Sequence, residues 1–350
     1  MKPESVKPEK VSSDVLLSVR DLRIGFDSGP AVRGLSFDVR RGEVLAVVGE
    51  SGAGKSVTAR ALLGMVPRGA SLSGSVRMHG PGTADVELVG AQRATLAALW
   101  GRRAALVPQD ALSALSPVHT VGDQLAAAVR SVRGLSRGRA HAVAVAALEK
   151  VGIADAARRA RAYPHEFSGG MRQRAVIAMA TVNEPELVVA DEPTTALDPE
   201  LRGQILDLLV ERCDAAGAAL VLVTHDLGVV RSHADRVLVM YAGRHAESGP
   251  VDEVLTRPHA PYTAGLLASL PPDEPLPGRR LPAISGAPPT PDALPPGCAF
   301  APRCPLADER CRTELPEPEE TYDSRAVSCH RWRELPESPA QLFLEKVTTA

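Results

Sequence analysis

Aromatic residues and long apolar runs are scarce in this chain. Only 3% of its 350 residues are Phe, Trp or Tyr. The longest apolar pieces, such as residues 44–48 and 218–223, fall far short of the roughly 18 residues that a membrane-spanning helix needs. We therefore expect no membrane span here, and any role at a membrane requires separate membrane subunits.

An excess of charge of one sign is also missing. Lys and Arg number 40 against 42 Asp and Glu, which leaves a formal net charge of -2. The chain thus lacks the overall basic field that a nucleic-acid-binding protein usually carries. Residues 1–13 are charged and contain proline but no apolar core, so they predict a disordered tail and not a signal peptide or anchor.

Apolar residues, in contrast, are plentiful enough for a proper core, at 44%. Short spaced apolar runs predict strands over residues 14–48, and an alanine-rich helical periodicity follows over 122–162. Strand and helix patterns then alternate from 187 to 240, which is typical of a doubly wound α/β core. We predict a first domain over 14–257 with an inserted helical subdomain at about 111–170. Proline crowding then indicates a second domain over 258–350.

The most specific motif follows an unbroken apolar strand, Val44–Val48. Residues 49–56 read GESGAGKS and match the phosphate-binding loop G-x-x-x-x-G-K-[ST] in the context that this motif requires. Glycines let successive N–H groups turn inward around a β-phosphate. Lys55 is expected to bridge the β- and γ-phosphates, and Ser56 to ligate Mg²⁺. The predicted nucleotide-binding residues of this loop are Gly49, Ser51, Gly52, Gly54, Lys55 and Ser56.

Two adjacent carboxylates follow a second apolar strand. Asp191 ends the run Leu187–Ala190, at the sheet edge where a magnesium ion sits in such folds. Glu192 comes next and can reach a water in line with the γ-phosphate. Because phosphoryl transfer depends on positioning and charge neutralisation, we assign Asp191 to the metal and Glu192 to the general base.

A third motif, Phe167–Arg174, reads FSGGMRQR. A serine hydroxyl and exposed backbone N–H groups at a helix start form an anion site, to which the helix dipole adds. Many ATPases have the phosphate-binding loop and the acidic strand, but few have a Ser-Gly-Gly turn between them. Ser168, Gly169 and Gly170 are therefore predicted to form an anion site.

Taken in order, these motifs resemble the ATPase subunits of ATP-binding cassette (ABC) importers for oligopeptides and dipeptides, a group that includes nickel importers. The resemblance is to this group in particular, beyond ABC proteins in general, because of segments 108–122 and 191–198 and two C-terminal motifs. It covers about residues 15–331. It implies an α/β P-loop NTPase fold, the ABC nucleotide-binding domain, with an inserted helical subdomain and a small Cys/Pro-rich C-terminal domain. Met171 replaces the usual glutamine of the signature, and 181–184 departs from the usual alanine-leucine run.

The resemblance also implies roles for further residues. The anion at the Ser-Gly-Gly turn would be the γ-phosphate of ATP bound by a partner subunit. His225 would switch a hydrogen bond to the γ-phosphate, and Gln109 would help ligate Mg²⁺ and sense the membrane subunits. Phe26 would stack on adenine, although a core position is as compatible with its sequence context. Asp198 would lie at the dimer interface. The implied catalytic set is Lys55, Gln109, Glu192 and His225, and the implied Mg²⁺ ligands are Ser56, Gln109 and Asp191.

The function implied by the resemblance is ATP hydrolysis that energises import of dipeptides and oligopeptides. The implied partners are two transmembrane permeases, a related but non-identical second ATPase and an extracytoplasmic substrate-binding protein, but no nucleic acid. The chain would sit peripherally on the cytoplasmic face of a bacterial membrane. The alternatives are a nickel or other small-solute importer, an exporter subunit, or a soluble ABC ATPase acting on nucleic acid or ribosomes. This last class usually has two cassettes or a long coiled coil.

Cysteine is rare, with five residues, but four of them fall in one segment: Cys298, Cys304, Cys311 and Cys329. Cys213 stands apart on a predicted helix and is expected to be a core thiol. Four thiolates can hold Zn²⁺ or an iron-sulfur cluster, although the absence of a C-x-x-C pair weakens the zinc interpretation. The resemblance of residues 297–304 to the C-terminal extension of dipeptide-importer ATPases implies a [4Fe-4S] cluster. Zinc and unliganded thiols remain the alternatives.

Overall fold

The structure, a computed structural model, describes residues 14–80, 84–195, 197–270, 283–321, 323 and 325–343. The predicted tail over 1–13 lies outside these ranges. The strands are β1 (Val15–Phe26), β2 (Gly29–Arg40), β3 (Val44–Val48), β4 (Ser71–Met78), β5 (Val86–Glu87), β6 (Ala104–Val107), β7 (Leu187–Asp191), β8 (Ala219–Val223), β9 (Arg236–Tyr241), β10 (Arg244–Pro250), β11 (Glu319–Glu320) and β12 (Ala326–Val327).

The α-helices follow the same chain order and occupy both the middle and the end of the chain. They are α1 (Lys55–Ala61), α2 (Arg93–Leu99), α3 (Ala111–Ala114), α4 (Val121–Arg133), α5 (Arg137–Lys150), α6 (Ala156–Arg159), α7 (Gly169–Thr181), α8 (Pro199–Ala216), α9 (Leu227–His233), α10 (Val251–Thr256), α11 (Pro261–Ala268) and α12 (Glu309–Thr313). None of these described helices combines the length and the apolar character that crossing a bilayer demands.

The central sheet has the strand order β11-β12-β10-β9-β3-β8-β7-β6. Strands β9, β3, β8, β7 and β6 run parallel to one another. Every residue of β3, β7 and β8 is buried, because helices and the second sheet cover both faces and leave no polar face to alternate with. The predicted α/β P-loop NTPase core is therefore confirmed. The parallel arrangement also brings the carboxyl ends of β3, β7 and β8 to one edge.

The two faces of this sheet pack against different layers. Val188 and Ala190 of β7 join a core with the central helices, whereas Leu187 and Val189 join a core with the antiparallel sheet. That second sheet has the order β2-β1-β4-β5. The strands predicted over 14–48 are thus confirmed, and their apolar residues bury one face of the central sheet.

The alanine-rich stretch over 122–162 folds into helices, as predicted. Helix α4 begins after Thr120, whose side chain accepts a hydrogen bond from the Asp123 N–H, and it ends at Gly134 in the left-handed conformation. Ala140, Ala144 and Leu148 of α5 are buried in the same core as α4 and α7. Small side chains here allow close helix packing. The subdomain boundaries at about 111 and 170 stay a prediction.

The last part of the chain packs on the β9–β10 edge of the central sheet. Strand β12 pairs antiparallel with β10 through Glu247 and Val327. Helix α11 starts at Pro261, a residue type favoured at the first helical position, and Tyr262 shares a buried core with Tyr241 of β9 and with Phe300. The C-terminal segment is therefore anchored beside the strand that neighbours β3 and its phosphate-binding loop. The predicted division at 257/258 stays untested.

Candidate nucleotide-binding site

The phosphate-binding loop lies between β3 and α1 and is held by close backbone packing. Gly49 and Gly54 have φ of 151° and 92°, a region that favours glycine. A Cβ atom on Gly49 would stand 2.2 Å from the Met240 carbonyl oxygen, and one on Gly54 would stand 2.6 Å from that of Ala31. The neighbouring strands therefore fix the shape of this loop, and a side chain at either position would displace it.

Lys55 is the first residue of α1 and lies buried beneath the loop. Its Nζ donates hydrogen bonds to the carbonyl oxygens of Gly49, at 2.8 Å, and Glu50, at 3.0 Å. Burial lowers the pKa of this ammonium, while the nearby carboxylates of Glu192 and Asp191 act to raise it. Lys55 is thus a cation held in place by loop carbonyls that a phosphate can replace.

Ser56 and Asp191 form the pair expected to hold a metal ion. The Ser56 Oγ donates a 2.7 Å hydrogen bond to Asp191 Oδ1. Burial raises the pKa of Asp191 above its usual value, so a nearby cation would favour its ionised form. A hydroxyl and a carboxylate are hard oxygen donors of the kind that Mg²⁺ takes. Gln109 lies exposed two residues past the end of β6.

Glu192 follows β7 in an unusual backbone conformation, with φ of 46°. The left-handed region costs a non-glycine residue about 1–2 kcal/mol. Thr195 donates a 2.8 Å hydrogen bond to Glu192 Oε2, and His225 Nδ1 lies 3.4 Å from the same oxygen. The sheet edge therefore brings five predicted site residues together: Lys55, Ser56, Asp191, Glu192 and His225.

The Ser-Gly-Gly turn opens the 13-residue helix α7. The Ser168 hydroxyl accepts a hydrogen bond from the Met171 N–H at 3.3 Å. Gly169 is exposed, and a Cβ there would meet only the Leu197 side chain at 3.8 Å. Within the described residues, no hydrogen bond joins this turn to the phosphate-binding loop.

Two further predicted residues lie at the ends of elements. Phe26 is the last residue of β1 and is only partly buried, against the core that the antiparallel sheet shares. Asp198 is exposed and precedes α8, and its backbone carbonyl accepts from the N–H groups of Leu201 and Arg202. Asp198 is therefore the N-cap residue of α8, with no capping hydrogen bond from its side chain, and this position is compatible with the expected interface role.

The four clustered cysteines line one cavity of about 60 Å³. Burial raises the pKa of Cys304 to about 11 and that of Cys329 to about 12, so the unliganded thiols are protonated at neutral pH. Among the described residues, no three His, Cys, Asp or Glu side chains are grouped closely enough to hold a metal ion. The four cysteines therefore show no compact set of ligands for the predicted iron-sulfur cluster or for zinc. Cys213 is fully buried in α8, where a core thiol was expected.

Arginines on the wall of this cavity are a feature that the sequence did not predict, and two of them, Arg244 and Arg331, pair with the carboxylates of Glu317 and Asp308. Arg33, Arg244 and Arg331 line it together with the cysteines. Arg33 Nη2 and Arg331 Nε are buried without a hydrogen-bond partner in the described part of the chain. Buried donors without partners are rare and costly. Arg33 lies on β2, far from the cysteines in sequence, so no local signal pointed to it.

Glu50, inside the phosphate-binding loop, is a second residue that the sequence analysis did not single out. Its carboxylate pairs with Arg303 through two hydrogen bonds of 2.6 Å and 3.0 Å. Its backbone N–H donates to the Tyr262 hydroxyl at 2.8 Å. The C-terminal segment thus contacts the loop directly. The one local signal in the sequence that could have pointed to this contact is the position of Arg303 immediately before Cys304.

Comparison with known proteins agrees with this arrangement. Residues 32–195 match the ABC transporter family model, and residues 246–311 match the model for the oligopeptide/dipeptide transporter C-terminal region. Among solved structures, a post-hydrolysis dimeric ATP-binding cassette bound to ADP and Pi has a TM-score of 0.59 at 23% identity, covering 67% of this chain and 99% of that one. CbiO1 from Clostridium perfringens, part of an ABC transporter complex, has a TM-score of 0.59 at 27% identity, covering 70% and 92%.

Curated relatives extend the similarity over almost the whole chain. The oligopeptide transport ATP-binding protein OppD of Mycobacterium tuberculosis is 47% identical over 321 residues, 90% of this chain and 52% of that protein. The chain thus spans about half the length of this relative. A peptide import ATP-binding protein of Brucella melitensis, named as putative, is 42% identical over 336 residues, 93% of this chain and 99% of that protein. The chain therefore belongs to the ABC transporter ATP-binding family, in the group with the oligopeptide/dipeptide transporter C-terminal region.

Proposed function

We propose that this chain is the ATP-hydrolysing subunit of a multi-subunit ABC transporter that imports dipeptides or oligopeptides. The observation that carries the proposal is the convergence of Lys55, the Ser56–Asp191 pair and Glu192 at one sheet edge. The matching C-terminal region and the names of the relatives support peptides as the solute.

The chemistry of this site divides between neighbouring side chains. Lys55 would exchange its two carbonyl partners for phosphate oxygens, and Ser56 with Asp191 would hold Mg²⁺, with Gln109 completing the set. The metal ion supplies charge neutralisation at the β- and γ-phosphates. Glu192 accepts a proton from the attacking water, and His225, 3.4 Å away, orients that carboxylate and contacts the γ-phosphate. Phe26 would stack on adenine.

A second ATPase completes the site. Ser168, Gly169 and Gly170 offer N–H groups at the start of a long helix, which attract an anion, and Gly169 has open space beside it. By the resemblance to ABC ATPases, the phosphate at this turn would belong to the ATP of a partner ATPase. Asp198, at the start of α8, would also contact that partner. ATP then closes the pair, and hydrolysis reopens it.

The proposed assembly contains two permeases, this chain, a related but non-identical ATPase and an extracytoplasmic binding protein. The chain lies peripherally at the cytoplasmic face of the membrane. We expect purification from gently solubilised native membranes, followed by mass spectrometry, to recover all of these subunits. Recovery from the soluble fraction, alone or with ribosomes, would overturn the importer role and leave ATP hydrolysis to be measured separately. Titrating the recovered binding protein with peptides and with Ni²⁺ distinguishes the two solute classes.

We further propose that the four clustered cysteines hold a [4Fe-4S] cluster. The support is that all four line one cavity whose wall carries two arginines with unsatisfied donors. A tetrathiolate cluster is anionic and its sulfurs accept hydrogen bonds. Such a cluster also spaces its ligands more widely than a single metal ion, so a compact ligand group is not a prerequisite.

Iron and acid-labile sulfide in anaerobically purified protein test this proposal. We expect about four irons per chain and broad visible absorption. Cys329→Ser should lose both, and the matched variant Cys213→Ser, which changes a thiol outside the cavity, should keep both. Iron-free, colourless wild-type protein would contradict the proposal, and stoichiometric zinc in its place would favour the tetrathiolate zinc site.

A further inference from the structure

One ion pair connects the phosphate-binding loop to the cysteine segment. Arg303 binds the Glu50 carboxylate through both terminal nitrogens, at 2.6 Å and 3.0 Å. The Arg303 side chain is 6% exposed and that of Glu50 is 24% exposed. Exposed ion pairs contribute little, but a bidentate pair that is shielded from water is stronger and geometrically specific. Removing the arginine would leave the loop carboxylate without its partner.

Aromatic rings hold the arginine in place. The Tyr241 hydroxyl accepts a 3.1 Å hydrogen bond from Arg303 Nη1, and the guanidinium lies 5.9 Å from the ring centres of both Tyr241 and Phe300. Backbone carbonyls of Ser285 and Ile284 accept the remaining donors. Because every nitrogen of Arg303 has a partner, this side chain has one orientation, and the loop is attached to a rigid group.

Glu50 transmits this constraint to the phosphate-binding groups. Its N–H donates to Tyr262 Oη at 2.8 Å, and its carbonyl accepts from Lys55 Nζ at 3.0 Å. A displacement of Glu50 would thus move one of the two partners of the lysine that is proposed to bind phosphate. The C-terminal segment thus holds Glu50 at its carboxylate and its N–H, while the Glu50 carbonyl contacts the lysine of the same loop.

The other end of the connection reaches the cysteine cavity. Arg303 ends a single 3-10 turn over Ala301–Arg303, and the Cys304 N–H donates to the Ala301 carbonyl at 3.3 Å. Cys298 and Cys304 flank this turn, and both line the cavity. A change in the packing of the cavity therefore reaches Arg303 through a single helical turn.

We propose that Arg303 is a positioning residue for nucleotide binding, which holds the phosphate-binding loop through Glu50 and couples it to the cysteine cavity. This inference rests on the proposed binding of ATP by this chain. By linkage, the coupling acts in both directions: the state of the cavity changes ATP affinity, and ATP changes the rigidity of the cavity segment. The free energy of ATP binding and the free energy of ordering the C-terminal segment are thus coupled.

The first test compares ATP affinity of the full chain in its assembled complex. Arg303→Met keeps the apolar stem of the side chain but removes the guanidinium, and we expect ATP to bind about 5-fold to 30-fold more weakly. Arg303→Lys keeps the positive charge but cannot form the bidentate pair with Glu50, so it should recover only part of the lost ATP affinity. Arg310→Met is the matched control, because Arg310 forms an exposed i,i+4 pair with Glu314 in the same segment. It should bind ATP like the wild type.

A double-mutant cycle separates this role from simple destabilisation. If the pair acts through Glu50, then Glu50→Gln combined with Arg303→Met should weaken ATP binding no more than the stronger single variant. Because unfolding temperature is measured on the same samples, a variant that fails to fold is recognised, and Glu50→Gln then tests the pair from the loop side. The effect should fall on KM for ATP more than on kcat, since the hydrolytic groups are untouched.

The second test is hydrogen–deuterium exchange over residues 298–311. We expect ATP to slow exchange there in the wild type and in Arg310→Met, and to leave it unchanged in Arg303→Met. Wild-type protein that binds ATP without any change in this segment would overturn the coupling, as would additive effects in the double-mutant cycle. Wild-type protein that binds no ATP would overturn the proposed function itself, so the two failures are distinguishable.

Discussion

The Ser56 hydroxyl donates a hydrogen bond to the carboxylate of Asp191 at 2.7 Å, across 135 positions of sequence. Both residues lie at the same edge of the sheet: Ser56 is in the helix that follows β3, and Asp191 is the last residue of β7. A magnesium ion placed between these oxygens would replace the hydrogen bond with two ligand bonds. The pair is thus the point where the loop and the acidic strand meet.

Replacing Asp191 with Asn should weaken the Mg²⁺ dependence of ATP binding. The amide keeps the shape but loses the charge, and we expect apparent Mg²⁺ affinity to fall by about 10-fold to 100-fold. Titration of Mg²⁺ at fixed ATP measures it. Asp214→Asn, an exposed carboxylate in α8, is the control. Equal Mg²⁺ affinity in both variants would remove Asp191 from the metal site.

Replacing Glu192 with Gln should separate binding from hydrolysis. The variant keeps the side-chain length but cannot accept a proton, so turnover should fall by at least about 100-fold while ATP still binds. Single-turnover hydrolysis and equilibrium ATP binding check the two halves of this prediction. Turnover close to that of the wild type would show that another group acts as the general base.

The two glycines of the Ser-Gly-Gly turn should respond differently to alanine. A Cβ on Gly169 meets only one atom at 3.8 Å, whereas a Cβ on Gly170 would stand 2.5 Å from Leu201 Cδ2. We expect Gly169→Ala to leave the unfolding temperature unchanged or higher, because alanine favours a helix, and to lower the ATPase rate of the assembled complex. Gly170→Ala should be less stable than Gly169→Ala by up to about 1 kcal/mol, because the Leu201 side chain must turn away from the new Cβ and this offsets the helix preference of alanine.

Thermal unfolding and ATPase assays of both glycine variants provide the measurement. If Gly169→Ala in the assembled complex hydrolysed ATP like the wild type, the turn would not face a partner's nucleotide. An equal change in unfolding temperature for both variants would contradict the prediction that the space beside each glycine determines its response to alanine.

His245 predicts a pH dependence of folding stability. Its ring nitrogens lie 2.8 Å and 2.9 Å from the hydroxyls of Ser328 and Ser248, and burial lowers its pKa to about 4. Because the folded-state pKa lies below the ordinary 6.5, this histidine contributes stability that is fully present above pH 6.5 and is lost as pH falls towards 4. The contribution is at most about 3 kcal/mol.

Denaturant unfolding of the wild type and His245→Gln between pH 4 and 8 tests this effect. Glutamine can hydrogen-bond to the serines but does not titrate, so the stability difference between the two proteins should shrink as pH falls. His165→Gln is the control, because His165 is exposed. A difference that stays constant with pH would contradict the burial argument.

Much of the fold and the nucleotide site was predictable because its signals are local. The run Val44–Val48 is apolar throughout and became a strand buried on both faces. The glycines of the following loop, and the start of α11 at Pro261, depend on backbone preferences of single residues. For the same reason the edge position of Asp191 followed directly from the strand before it.

The contacts of the C-terminal segment were not predictable, because they join distant parts of the chain. Nothing in the sequence near Glu50 indicates Arg303, which lies 253 positions away. Likewise, Arg33 reaches the cysteine cavity only because β2 packs near the β9–β10 edge. Such pairs arise from the way in which separate elements pack, and one sequence records no trace of that geometry.

The sequence by itself determined the elements, the order of the motifs and the chemistry of each motif, because glycine, proline and alternating apolar residues act over a few neighbours. Only the tertiary structure decided which of these groups meet. It brought Lys55, Asp191 and Glu192 to one edge and attached the cysteine segment to the loop through Arg303. The physical reason is that parallel strands align their ends and that a buried charge is stabilised by a partner, which can come from a distant part of the chain.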